Sequence, residues 1–512
     1  MRALFLIPPP ELNLENTPID RVYGCNYGFD YKPAIHFLQV TTFARDKCAW
    51  SVRFLDCPAE GITLEAFPAA IEEFAPDVVL FWSTYLSAIE DIAAARLIQK
   101  ANPSVRLVFM GTGATWKPQE FQLGTHSYCL LGEPEQTLLE LNAAWQGFGT
   151  VEKIPGLAWY SPDGTMSRGP NRPLLDVTTL PMPDRRLLLG KYRANRLEDQ
   201  PVSVMIASRG CGFRCTFCTT NAMDQAIDLE FKTITPAHVS RPPLRKRTVE
   251  QIIAEFEDMA SLGIKSVEIA DNIFTWGRSR TLAICKGIEP LNMKWICLAR
   301  ANMLHDAEMV RAMADAGCQM VYMGSESFDD GLLDDMVKEI KVKDVEKAVQ
   351  VCRENGVEPE VSVLIGGSPH ETWRTLLHSW RASKRLGTRF VHFAVALPSP
   401  STQMYDDAMQ NGWFIQGDFR PADNAREVVI NLPHLSHHEL QLALKIAYSA
   451  QYLTPSGVWK QIQRATSPAV FVEKAKAAKQ LLIFLAQRSK TNPIPPGRLT
   501  PLPTASVASN LD

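Results

Sequence analysis

The stretch Val202-Ser-Val-Met-Ile-Ala-Ser-Arg-Gly-Cys-Gly-Phe-Arg-Cys-Thr-Phe-Cys218 sets an apolar segment directly before three cysteines, Cys211, Cys215 and Cys218, with no fourth cysteine nearby. The spacing is C-x3-C-x2-C. It wraps three thiolates around one corner of a cubane, so three irons of a four-iron, four-sulfur cluster are held and the fourth is left open to a substrate or cofactor. Structural zinc asks for four ligands, commonly two C-x2-C pairs, and neither a second pair nor a matching histidine pair follows. A disulfide or inert thiols would not require all three cysteines in one loop straight after a strand, the place where a β/α barrel puts its chemistry.

Working outward, 512 residues exceed one ordinary domain, and 46% hydrophobic with 21% charged residues is a common globular composition. A formal net charge of -3 gives no global basic field for nucleic acid or anionic lipid. The N-terminus Met1-Arg-Ala-Leu-Phe-Leu-Ile-Pro is too short for a signal-peptide core, and no apolar run approaches the roughly 20 residues of a membrane span. The sequence therefore reads as a cytoplasmic protein. Eleven cysteines scattered without a framework read as reduced thiols. Cys48, Cys57, Cys129, Cys285, Cys297, Cys318 and Cys352 sit mostly beside aliphatic residues and read as core; Cys25, in a Tyr-Gly-Cys-Asn-Tyr-Gly loop, is less clearly so.

Residues 1–150 alternate apolar runs with amphipathic ones, as a doubly wound parallel sheet would. Strands are expected at 3–7, 52–55, 78–82, 107–110 and 127–131, and helices at 33–45, 64–74, 87–100 and 135–144. Ligands of such a domain bind outside the carboxyl ends of the strands. Residues 151–200, dense in proline and turn formers, read as a linker. A second β/α series over 201–400 has strands at 202–207, 266–270, 294–298, 320–323, 360–365 and 390–396, with helices at 249–262, capped by Thr248 and Gln251, and 342–354. Six repeats suggest a partial barrel. Residues 401–512 read as mainly helical, at 437–451 and 469–487, ending in a flexible tail. Arg241-Pro-Pro-Leu-Arg-Lys-Arg247 and His437-His438 read as solvated surface, and Trp276, Tyr322 and Phe393 as core aromatics.

The cysteine loop, with the aromatic Phe217 before its third cysteine, resembles that of the radical S-adenosylmethionine enzymes. Further segments follow in that family's order. The segment Glu268-Ile-Ala-Asp-Asn-Ile-Phe-Thr is similar to the one that contacts the methionine amino group, which implies Asp271 and Asn272. Trp295-Ile-Cys-Leu-Ala-Arg300 looks like the third barrel strand, with Arg300 as partner of the carboxylate. Gly324-Ser-Glu-Ser resembles the segment that reaches the ribose or amino acid part, through Glu326. Val363-Leu-Ile-Gly-Gly-Ser-Pro-His-Glu-Thr resembles the glycine-rich segment near the adenine, with Ile365 and Gly366. Taken singly, a glutamate or arginine at a strand end is as often a structural ion pair.

A second resemblance, to the cobalamin-binding domain of one subgroup of these enzymes, rests on Arg53-Phe-Leu-Asp-Cys-Pro-Ala-Glu-Gly, Phe81-Trp-Ser-Thr-Tyr-Leu and Gly132-Glu-Pro-Glu, and on Ser83 followed by Gly111-Thr-Gly113. It implies corrinoid contacts at Pro10, Ser83, Thr84, Tyr85, Gly111, Gly113 and Glu133. No Asp-x-His-x-x-Gly occurs, so the lower-axial histidine of other cobalamin proteins is absent. A doubly wound domain without a cofactor is the alternative, since fold does not fix function.

Together the resemblances imply an α/β protein: an N-terminal Rossmann-like cobalamin domain, a partial (β/α)6 radical barrel and a mainly helical C-terminal region. They imply a four-iron, four-sulfur cluster, S-adenosylmethionine and cobalamin as cofactors. The implied reaction is methylation of an unactivated carbon of a small molecule, through hydrogen abstraction by a 5'-deoxyadenosyl radical and methyl donation by methylcobalamin. An external one-electron reductant of flavodoxin or ferredoxin type is implied as partner. An oxidative cyclase of the anaerobic porphyrin type is the alternative, and a non-enzymatic corrinoid or cluster sensor a more distant one. Methylthiolation of transfer RNA predicts three more cluster cysteines in the N-terminal domain and a basic RNA-binding C-terminus, and neither is apparent.

Overall fold

The computed structural model describes residues 1–13, 16–24, 31–161, 163–190, 192–194, 200–233, 242–424 and 426–454, with isolated positions between 471 and 486. Cys25, Arg241, most of the expected helix at 469–487 and the tail lie outside the described residues.

The first sheet holds β1 (Arg2–Ile7), β2 (Ser51–Asp56), β3 (Val78–Trp82), β4 (Arg106–Met110), β5 (Ser127–Leu130), β6 (Leu157–Tyr160) and β7 (Met166–Arg168), in the order β2-β1-β3-β4-β5-β6-β7. β1 to β5 are parallel. Their near-continuous apolar runs are what a sheet covered on both faces requires; every side chain of β3 is buried. Helices Ile35–Lys47 and Pro134–Trp145 close one face and Phe67–Phe74 and Ala88–Ala101 the other. Chain direction in the order reverses between β1 and β3, and a doubly wound sheet opens its ligand crevice there. Residues 157–168, expected in the linker, instead add an antiparallel hairpin to the sheet's edge. The flanking prolines and turns hid two strands that are only four and three residues long.

The second sheet is formed by β8 (Arg193–Ala194), β9 (Gln200–Met205), β12 (Ser266–Ile269), β13 (Lys294–Ala299), β14 (Cys318–Glu326), β15 (Glu358–Ile365) and β16 (Phe390–Val395), ordered β16-β15-β14-β13-β12-β9-β8. A small antiparallel ribbon, β10 (Ser208–Arg209) with β11 (Arg245–Lys246), rises between them. β9 and β12 to β16 are parallel neighbours in chain order, the six β/α repeats expected of an open barrel. Successive strand side chains point to opposite faces. One face carries Met205, Val267, Trp295, Val321, Val361 and Phe393 into the helix-covered core. The other face turns Val204 and Ile206 onto the first domain.

The helix Val249–Ser261 begins at the Thr248/Gln251 capping box. Helix His437–Tyr452 covers the edge of β16: Tyr448 Oη donates to Phe393 O at 2.7 Å and Tyr452 Oη to Val391 O at 2.9 Å. An edge strand otherwise leaves such carbonyls unpaired. Among the described residues no helix is long and apolar enough to cross a membrane.

The cysteine loop and its surroundings

The loop Gly210–Thr220 leaves the barrel's first strand through the ribbon and returns as the helix Ala222–Lys232, which Asn221 caps. Cys215 is buried while Cys211 and Cys218 are partly exposed, and no disulfide joins any of the ten described cysteines. Among the described residues no three His, Cys, Asp or Glu side chains surround a single ion position. Three thiols spaced along one loop suit the donor set of a cubane, one iron each, better than that of a mononuclear ion.

Two buried cations flank the loop. Arg300 Nη1 lies 3.8 Å from Cys215 Sγ, its guanidinium stands 3.5 Å over the Phe213 ring, and Nη2 donates to Lys338 O. Lys338 Nζ lies 2.8 Å from Glu326 Oε1 and 5.5 Å over the Phe217 ring. Burial works against the Lys338 ammonium, yet Glu326, Cys215 and Cys218 together hold its pKa above the ordinary lysine value. The motif reading did not single out Lys338. It comes from a segment where Val337 and Glu339 adopt left-handed φ of 49° and 55°, and no sequence pattern announces that turn.

Glu326 itself has φ 61°, and its other oxygen accepts from Ser362 Oγ at 3.4 Å. A Cβ on Gly324 would stand 2.5 Å from Glu326 Oε1 and 2.8 Å from Lys338 Nζ, so this glycine makes room for the ion pair. Ile365 is buried in the core, and Gly366 N donates to the Glu371 carboxylate beneath it. Burial raises the Glu371 pKa to about 8.

Asp271 and Asn272, expected at the methionine amino group, are turned to the chain that leads into the loop, at Ala207, Ser208 and Gly210. Asp271 Oδ1 accepts from Ala207 N at 2.6 Å and Ser208 N at 3.1 Å, and Oδ2 from Ser208 Oγ at 2.6 Å. Burial raises its pKa to about 6 against these hydrogen bonds. Asn272 Nδ2 donates to Gly210 O at 3.2 Å and to Asp224 Oδ2 at 2.6 Å, and Asp224 Oδ1 accepts from Gly210 N at 2.9 Å.

Glu133, expected to contact a corrinoid, is paired with arginines. Arg209 Nη1 lies 2.8 Å from Glu133 Oε1 and Arg209 Nη2 2.5 Å from Glu135 Oε1. Arg245 Nη1 reaches both Glu133 oxygens, at 2.9 and 2.8 Å. Desolvation opposes ionisation of Glu133, and Arg209 and Arg245 nonetheless hold its pKa below the usual carboxylate range.

The remaining first-domain residues do converge at the strand ends. Ser83, Thr84 and Tyr85 follow β3, Gly111 and Gly113 follow β4, and Pro10 follows β1. A Cβ on Gly111 would stand 2.7 Å from Ser83 O, and one on Gly113 2.9 Å from Thr84 O, so the two loops touch backbone to backbone. In the β1/β3 crevice the Arg21 guanidinium is buried on Trp82 O, Ser87 and Asp91. Tyr85 packs its ring on Trp116 and Phe419, while its buried hydroxyl finds no hydrogen-bond partner among the described residues. That unsatisfied donor at the strand ends fits a polar ligand on this edge.

Residues 205–380 match the family model of the Radical SAM superfamily, and the span contains the whole cysteine loop. This stretch is thereby similar to the radical S-adenosylmethionine enzymes, a class whose cofactors are a four-iron, four-sulfur cluster and S-adenosylmethionine. Among curated proteins it is 27% identical over 473 residues to the uncharacterized methyltransferase PH0819 of Pyrococcus horikoshii, covering 90% of this chain and 95% of that one. It is 21% identical over 364 residues to the anaerobic magnesium-protoporphyrin IX monomethyl ester cyclase of Rubrivivax gelatinosus, covering 70% and 62%. The fold is shared with the cobalamin-dependent S-adenosylmethionine radical enzyme OxsB, solved with aqua-cobalamin and S-adenosylmethionine: TM-score 0.69, 14% identity, 94% of this chain and 71% of that one.

Proposed function

We propose that this chain is a cobalamin-dependent radical S-adenosylmethionine methyltransferase acting on an unactivated carbon of a small molecule. The observation that carries the reading is the three-cysteine loop flanked by buried Arg300 and Lys338, in a barrel joined to a sheet of doubly wound order. The curated relative named a methyltransferase supports the reaction, and the fold shared with a cobalamin-dependent radical enzyme supports the second cofactor.

Cys211, Cys215 and Cys218 hold the cluster. When bound, the cluster supplies the electron that cleaves S-adenosylmethionine, and the corrinoid carries the methyl group. Lys338 has donors to spare after Glu326 and is placed to take the methionine carboxylate, with Arg300 behind it. Glu326 takes the ribose or amino acid part, and Phe217, Ile365 and Gly366 line the adenine side. Asp271 and Asn272 act one step back, on the loop that carries the cluster. Pro10, Ser83, Thr84, Tyr85, Gly111 and Gly113 form the corrinoid edge, with the Tyr85 hydroxyl free to bond a polar group of it. Partial exposure of Cys211 and Cys218 leaves the cluster open to an external one-electron donor of flavodoxin or ferredoxin type.

The test uses purified, anaerobically reconstituted protein with cobalamin, a chemical reductant and S-adenosylmethionine labelled at its methyl group. Formation of S-adenosylhomocysteine together with 5'-deoxyadenosine is expected. Abundant 5'-deoxyadenosine with no methyl transfer would favour the second reading, an oxidative cyclase or rearrangement enzyme, which the Rubrivivax relative supports. Neither product would leave a binding protein.

A further inference from the structure

Four charged side chains meet out of water where the first domain touches the cluster loop. Relative exposure of the side chains is 4% for Arg209, 3% for Glu133, 1% for Glu135 and 13% for Arg245. Removing one partner of such a group leaves a buried charge uncompensated, whereas apolar replacements of the whole group are often neutral or better. A buried ionic group kept under those terms is more readily explained by geometry than by stability.

Its placement says which geometry. Arg209 stands two residues before Cys211, and across the ribbon it pairs with Arg245. Between Arg209 and the cysteine, Gly210 is held through its N–H by Asp224 and through its carbonyl by Asn272. The lead-in to the loop is thus fixed from the barrel side by Asp224, Asn272 and Asp271, and from the other side by two glutamates at the start of the helix Pro134–Trp145. Both glutamates belong to the first domain. Arg209 presents its guanidinium as a fork, Nη1 donating to Glu133 Oε1 at 2.8 Å and to Glu135 Oε2 at 3.4 Å and Nη2 to Glu135 Oε1 at 2.5 Å, so its direction as well as its charge is set.

We propose that Glu133, Glu135 and Arg209 are positioning residues through which the N-terminal domain sets the geometry of the cluster loop, rather than ligands of that domain's cofactor. The inference rests on the cluster reading given above.

The experiment uses the full chain, anaerobically reconstituted, as wild type, Glu135→Gln, Arg209→Lys and the combined Arg209→Met, Glu133→Gln, Glu135→Gln variant, which removes three of the charges together. Glu140→Gln is the control: it breaks the 2.6 Å pair with Arg172 on the same helix, away from the loop. Read out are iron per chain, circular dichroism, the cluster's midpoint potential, and the change in the electron paramagnetic resonance spectrum of the reduced cluster on adding S-adenosylmethionine. Folded variants of the clamp are expected to shift in potential and to lose or alter the response to S-adenosylmethionine, and Glu140→Gln to match wild type. Wild-type potential and response in Glu135→Gln and Arg209→Lys would overturn the proposal, as would an equal shift in Glu140→Gln. A wild-type protein that takes up no cluster would sink the parent reading as well, a result distinct from either.

Discussion

Lys338 Nζ and Glu326 Oε1 lie 2.8 Å apart against the bare backbone of Gly324, with the Cys215 and Cys218 thiols close enough to raise the lysine's pKa. A cation held this near the cysteine loop by one carboxylate keeps two N–H donors for another. Replacing Lys338 by Met removes the charge and keeps the stem. The expected result is S-adenosylmethionine binding weaker by roughly 1.5–3 kcal/mol, the range of a charge-assisted hydrogen bond, with iron content unchanged. Isothermal titration on the reconstituted protein checks it; unchanged affinity would move the carboxylate elsewhere.

Arg300 makes a separate prediction. Its guanidinium sits 3.8 Å from Cys215 Sγ and over Phe213, and hydrogen bonds and charge near cluster sulfurs set reduction potential. Arg300→Met is expected to make the midpoint potential more negative. Lysine at this position keeps the charge but not the planar fork, and is expected to fall between the two. A redox titration that places all three proteins together would remove Arg300 from the cluster's control.

These predictions rest on residues of unequal legibility. The three cysteines stand out in the chain because their motif is local, all within the one loop Gly210–Thr220 between β10 and the helix Ala222–Lys232. The parallel strands of both sheets could be read because covered parallel strands are largely apolar, whereas the short antiparallel β6, β7 and β8 gave no such run. β14 was expected at 320–323 and runs on to Glu326, since its polar Gly-Ser-Glu end resembles a loop and its register to β15 shifts between Gly324 and Glu326. Asp271, Asn272 and Glu133 were each found at a strand end, as the motifs implied, but facing backbone or arginine. One sequence cannot say whether such a side chain meets a ligand or another segment of its own chain. Lys338 depends on a backbone reversal that brings residues 12 apart together, and its local sequence carries no sign of it.

Below Gly366, the buried Glu371 carboxyl has its pKa raised to about 8 from the ordinary 4.5, chiefly by burial. A carboxyl whose folded pKa is raised favours folding most fully below its unfolded pKa, and that contribution is lost as pH rises towards and through the folded one. Wild-type stability is therefore expected to fall between about pH 4.5 and 8 relative to Glu371→Gln, which keeps an acceptor for Gly366 N but cannot ionise. Thermal melts of both proteins across that window check the sign. Parallel curves would show that Glu371 titrates normally.

The last prediction concerns how the barrel's outer edge is closed. Tyr448 and Tyr452 stand one turn apart on the helix His437–Tyr452, and their hydroxyls satisfy carbonyls two residues apart on β16, those of Phe393 and Val391. Each Tyr→Phe change removes one such hydrogen bond and leaves the ring packed, at an expected cost of about 1 kcal/mol. The two sites share a helix and a strand, so the double variant is expected to depart from additivity. Urea unfolding of the single and double variants measures the costs. Hydrogen exchange should show faster opening of β16 than of β13 at the centre of the sheet, because loosening starts where the edge loses its cover. If stability and β16 protection are unchanged in the double variant, packing of the helix alone closes the edge and the hydroxyls are incidental.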